Sequence, residues 1–247
     1  MLFILVLGGI VALSAIPSIM FFSATKKFDI IQNIFSQLTS SCYAITVILA
    51  LITLSSHIKN RSVKMIITKP CSAEIWTLSI LISGLIFIIF FYSVILISIL
   101  GLSLFWSIPI QKGMILVLFE KFYLSFVLFA LFTFLSVLFH PAIALILGLS
   151  LNESTFYHLC LSSNAGLKIS SGIYKQFYKI LEQILFMIYY CVPSLSPYEK
   201  FKGNIYLSYI IEPDKLKYFG YTFLYYSVLI GLFYFLTLIF LKKKRLI

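Results

Sequence analysis

From Ile75 to Leu100 the chain carries no charged side chain. Wound as a helix, that run is roughly 39 Å long, more than the ~30 Å hydrocarbon core of a bilayer. Several runs of this kind exist, and together they exclude a soluble fold. The chain is 61% hydrophobic and 11% charged, whereas soluble domains are about a quarter charged. The runs are unbroken, not alternating with a two-residue period, so they predict helices and not a β-barrel. The expected fold is one all-α integral membrane domain over residues 1–247.

Six runs are long enough to cross: about 2–22, 38–54, 75–100, 119–139, 142–161 and 218–241. Leu2 to Phe22 lacks a basic leader and exceeds the apolar core of a signal peptide, so it is expected to stay as the first span. Trp76 falls where aromatic belts sit. Glu120-Lys121 opens the fourth run and is expected at headgroup level, with the lysine snorkelling. His140-Pro141 separates the fourth run from the fifth, because proline disfavours a helical residue before it.

Segment 162–217 has another character, with seven lysines and four acids. Within it Ile173, Phe177, Ile180, Leu181, Ile184 and Ile188 recur at helical spacing. Lys175, Gln176, Lys179, Glu182 and Gln183 fill the other face. That pattern predicts an amphipathic helix lying in the membrane interface, with a re-entrant course over 172–197 as the alternative.

The net charge of +11 is concentrated in loops and the tail, which points to anionic lipid headgroups and not to nucleic acid. Segment 55–74, between the second and third runs, carries Lys59, Arg61, Lys64 and Lys69. The chain closes on Lys242-Lys243-Lys244-Arg245. The positive-inside rule favours both segments, and both termini, in the cytoplasm. The opposite side holds more basic residues in total, but most lie in the long mixed-charge segment, where each counts for less. The many Ile, Phe, Tyr and Lys residues fit an AT-rich bacterial genome, and with it a multi-pass protein of the plasma (inner) membrane.

Cys42, Cys71, Cys160 and Cys191 form no C-x-x-C pair, and with three scattered histidines no metal-ligand spacing arises. Free buried thiols are expected, with a Cys160–Cys191 bridge as the alternative. No Gly-x-x-x-x-Gly-Lys-Ser/Thr stretch is present, so this chain binds no ATP by a P-loop. His-Glu-x-x-His is absent too, and Gly148-Leu149-Ser150 lacks the glycine that would complete a nucleophile elbow. The chain is not expected to be an enzyme.

Two stretches carry a resemblance. Ile66-Ile67-Thr68-Lys69-Pro70 follows a polar patch after the second run and leads into the third. Ile188-Tyr189-Tyr190-Cys191-Val192-Pro193-Ser194-Leu195 follows the amphipathic segment. With the six-run layout, the break at Pro141 and the basic tail, these resemble ABC-2 type transporter permeases. The chain departs from that pattern at His57-Ile58-Lys59, where an acid is common, and at Ala73, where an arginine is.

The resemblance implies an exporter permease whose two copies, or one copy and a paralogue, form the transport path. It implies a separate cytoplasmic ABC ATPase that binds ATP and magnesium, with no cofactor in this chain. It makes 55–74 the coupling helix that docks on that ATPase. There Lys59, Arg61 and Lys64 would pair with acids, Val63, Ile66 and Ile67 would fill an apolar groove, and Pro70 would make the turn. Without the resemblance, the same segment reads as a basic loop on anionic lipid. Asn152 and Glu153, in the outer half of the fifth run, are candidates for the substrate path or a dimer interface. Two further readings are a secondary transporter, which would usually show inverted repeats, and a membrane assembly subunit without transport of its own.

Overall fold

The computed structural model describes residues 27–59, 73–107, 109–110, 112–150, 153–169, 171–191, 194 and 213–245. These residues form seven helices: α1 (Lys27–Lys59), α2 (Ala73–Trp106), α3 (Lys112–Leu138), α4 (Pro141–Ser150), α5 (Glu153–Ile169), α6 (Ile173–Cys191) and α7 (Pro213–Arg245). Among the described residues no strand occurs. Four helices are long and apolar enough to cross a membrane, over Ile34–Thr53, Glu74–Phe105, Lys112–Leu138 and Leu216–Lys243. The expectation of an all-α membrane protein holds at this level. The first expected span, 2–22, lies outside the described residues.

α3 is the hub, packing against α1, α2, α4 and α7. Over half of its membrane window is buried, against 22% for α7. The outward faces are apolar as well. Ile86 and Ile97 of α2, and Leu224, Val228 and Phe235 of α7, are exposed. In lipid that exposure costs nothing, because the tails are as apolar as the side chains. Close packing therefore has to come from shape. A Cβ added at Gly84 of α2 would strike the buried Phe129 ring of α3, and one at Gly148 of α4 would strike Phe132 of α3. The two glycines let their helices approach α3 closely, the usual role of small residues between membrane helices. The α3–α7 seam is aromatic, with Tyr123 against Phe223 at 4.0 Å between centroids and Phe134 stacked on Phe233 at 6.1 Å.

Buried threonine hydroxyls bond to carbonyls of their own helices, as a dry interior favours. Thr46 Oγ1 donates to the Cys42 carbonyl at 2.7 Å, Thr133 Oγ1 to Phe129 at 2.7 Å, and Thr237 Oγ1 to Phe233 at 2.7 Å.

Chain direction follows from two links. The short 107–111 connection returns α3 alongside α2. At the other end of α2, Lys242 Nζ of α7 lies 2.6 Å from Glu74 Oε1, with both side chains about half exposed. The exit of the basic connector and the start of the basic tail therefore share one end of the bundle. An exposed pair of this kind contributes about 0–1 kcal/mol. Glu74→Gln is accordingly expected to leave thermal stability in detergent nearly unchanged, and a melting curve checks it.

His140 caps α4: its Nδ1 accepts from Ala142 N at 3.4 Å, while Ala144 N donates to the His140 carbonyl at 2.9 Å. Pro141 takes the first helical position, where its missing N–H is not needed.

The expected fifth span, 142–161, divides. α4 ends at Ser150 and α5 begins at Glu153. The ten residues of α4 rise about 15 Å, half a bilayer core. α5 carries Glu153, His158, Ser162, Ser163 and Asn164, so it is far more polar than α4 and does not extend its apolar run. α5 and α6 then form a hairpin. Gly172 turns it with φ 65°, and Asn164 Nδ2 donates to Glu182 Oε1 at 3.0 Å. α6 matches the expected amphipathic helix: Phe177, Ile180 and Ile184 stay exposed, while Tyr178 and Glu182 face α5.

Candidate functional site

The described residues gather an ionisable group with hydroxyl and thiol groups inside the bundle. Glu120 of α3 is 1% exposed. It lies about 12 Å along the helix from Lys112 and about 27 Å from Leu138. On α3 it shares a face with Val117, Leu124, Val127 and Leu131, all buried and related to it by three- or four-residue steps. The neighbouring helices meet this level at their own mid-length. Tyr43 is central in α1, and Tyr92 of α2 and Tyr226 of α7 lie close to the middle of their spans. Tyr43 is the common neighbour, since Tyr92, Glu120, Tyr226 and Cys42 all act on it electrostatically. The Lys121 ammonium stands over the Tyr43 ring, 5.4 Å from its centre, within reach of a cation–π attraction.

The hydroxyls can be ordered. Ser125 Oγ donates to the Lys121 carbonyl at 3.0 Å. It has one proton, so the 2.9 Å contact with Tyr92 is a bond donated by the Tyr92 hydroxyl. The Cys42 thiol lies beside Thr46, Ser125 and Tyr92. The Tyr43 hydroxyl is buried and meets no hydrogen-bond partner among the described residues. Tyr92 also borders a lipid-facing groove of about 200 Å³ between α2 and α3, lined by Ile89, Ser93, Leu96, Leu118, Phe119 and Phe122. The groove is apolar, and the polar cluster lies behind Tyr92, on the bundle side.

Such an arrangement holds or moves a proton, or recognises a cation, better than it performs bond cleavage. Its groups are a carboxyl, three phenols, a serine and a thiol, with no histidine among them. Among the described residues no group of three His, Cys, Asp or Glu side chains gathers to hold a metal.

The residues singled out in the sequence stand elsewhere. Lys59 is the last residue of α1, but its side chain lies outside the described portion. Arg61, Val63, Lys64, Ile66, Ile67 and Pro70 also lie outside it, as does Asn152. Glu153 opens α5, with its side chain outside the described portion. Cys42 and Cys160 are free and buried, so no Cys160–Cys191 bridge forms.

Glu120 is a correction. Expected among headgroups, it is buried, because α3 begins at Lys112 and not near Phe119. A signal was present in the sequence: Met114 to Phe119 is apolar, so the acid has an apolar stretch on both sides. The closeness to Tyr43 had no such signal.

No protein-family model matches this chain, no curated protein matches it in sequence, and no solved structure matches its fold.

Proposed function

We propose that this chain is the permease subunit of an ATP-driven ABC-2 type exporter, working as a pair with itself or a paralogue on a separate cytoplasmic ATPase. The observation that carries the reading is the Glu74–Lys242 contact. It gathers the connector's exit and the start of the basic tail at one end of the bundle, the end a cytoplasmic partner would meet on this reading. Helix order supports it too: a proline-led short helix and an amphipathic hairpin precede the last span. On this reading six spans cross, the connector 55–74 is the coupling helix, and both ends face the cytoplasm of a bacterium. ATP and magnesium sit in the partner, and this chain performs no chemistry.

A pull-down of the tagged chain from mild detergent tests it, beside a variant with Lys59, Arg61 and Lys64 changed to glutamate. The expected result is a P-loop ATPase that copurifies with the native chain and is lost from the variant. A folded, dimeric chain that brings down no ATPase would sink the reading.

One observation favours a second reading, a proton-linked secondary transporter: Glu120 is buried inside the bundle and acts on Tyr43. Proton relays in transporters are built from such intramembrane acids. Transport driven by a pH gradient without ATP would select it.

A further inference from the structure

Glu120 is the buried acid of the most enclosed helix. An ionisable group at this depth is expensive to keep and is by default functional. Ionised, it needs cationic or hydrogen-bonding neighbours; protonated, it needs a hydrogen-bond acceptor, and it can then also donate. Its neighbour on α1 is Tyr43, and the groups that in turn act on Tyr43 are Cys42 of α1, Tyr92 of α2 and Tyr226 of α7. On α3 itself Lys121 is the charged neighbour, and its ammonium stands over the Tyr43 ring. α4 brings no ionisable side chain. Phenol hydroxyls donate to a carboxylate or accept from a carboxylic acid, so the cluster tolerates the proton's arrival and departure without rearranging its chain. The Tyr43 hydroxyl, buried without a hydrogen-bond partner among the described residues, has its donor still to place.

We propose that Glu120 is a proton-binding site inside the bundle, exchanging its proton beside the Tyr43 hydroxyl. The ligand is the proton itself. This inference does not rest on the exporter reading, because it concerns the chain alone and needs no ATPase.

The test uses the full-length chain in mild detergent and dicyclohexylcarbodiimide, an apolar reagent that consumes protonated carboxyls. The acid's proton passes to a carbodiimide nitrogen as its oxygen bonds the central carbon, and the adduct rearranges to a stable acylurea found by peptide mapping. The sign is fixed by the reagent: labelling is greatest at low pH and is lost as pH rises. Expected is labelling at Glu120 but not at the exposed Glu74. It should fall about tenfold for each pH unit once the carboxyl is mostly ionised. Glu120→Gln should abolish it, and Tyr43→Phe should shift its pH midpoint. If the Gln variant fails to fold, the wild-type pH series decides alone. No adduct at Glu120 in the folded chain, or an adduct unchanged by pH, overturns the proposal. An unmoved midpoint in Tyr43→Phe overturns the part assigned to Tyr43.

Discussion

Gly84→Leu is expected to be the most damaging single substitution in the described bundle. A Cβ alone at this position meets the Phe129 ring at less than contact distance. Phe129 is 1% exposed and sits in the core of the hub helix, so it has no free volume to retreat into. Overpacking of a filled core costs about 1–3 kcal/mol, and a leucine adds three carbons beyond the methyl already excluded. The chain should lose its monodisperse elution from mild detergent, or melt well below the native protein. Phe129→Ala opens the matching space, and the double variant should recover part of the loss. Contacting residues couple by about 0.5–3 kcal/mol in such cycles. Additive losses would mean that α2 and α3 do not meet at this pair. Gly101 is the control: nothing lies near the Cβ position there, and Gly101→Ala should be well tolerated.

The second large effect is all-or-none. Single cysteines placed at Lys243 and at Ser62, in a chain whose native cysteines are replaced, should react with a membrane-impermeant maleimide from the same side of sealed membranes. The Glu74–Lys242 contact requires the same side, because the tail begins where the connector ends. On the proposed reading, which follows the density of basic residues in both segments, that side is the cytoplasm. Labelling therefore appears in inverted vesicles and is absent from intact spheroplasts. Opposite-side labelling of the two positions would break the arrangement of α2 and α7. Shared labelling from outside would keep the arrangement and reverse the orientation.

Helix type, the membrane setting and the rough places of α1, α2, α3 and α7 were legible from the sequence. Each rests on a one-dimensional quantity, the length of an apolar run against the thickness of a bilayer. The amphipathic α6 was legible for the same kind of reason, since a three-to-four-residue period needs no tertiary knowledge. Helix ends were less so. The fourth run reads from about 119, yet α3 starts at Lys112, about two turns earlier, and Glu120 is buried in the bundle. Run length alone also predicted one fifth span over 142–161, where the structure has one helix to Ser150 and another from Glu153. Only the packing of helices on α3 could bring Tyr92, Glu120 and Tyr226, far apart in the chain, to one tyrosine, Tyr43. The membrane's low polarity decides, locally, that these residues form helices. Which side chains share a level and a face depends on how glycines such as Gly84 and Gly148 let those helices close on α3, and that is settled by shape across distant parts of the chain.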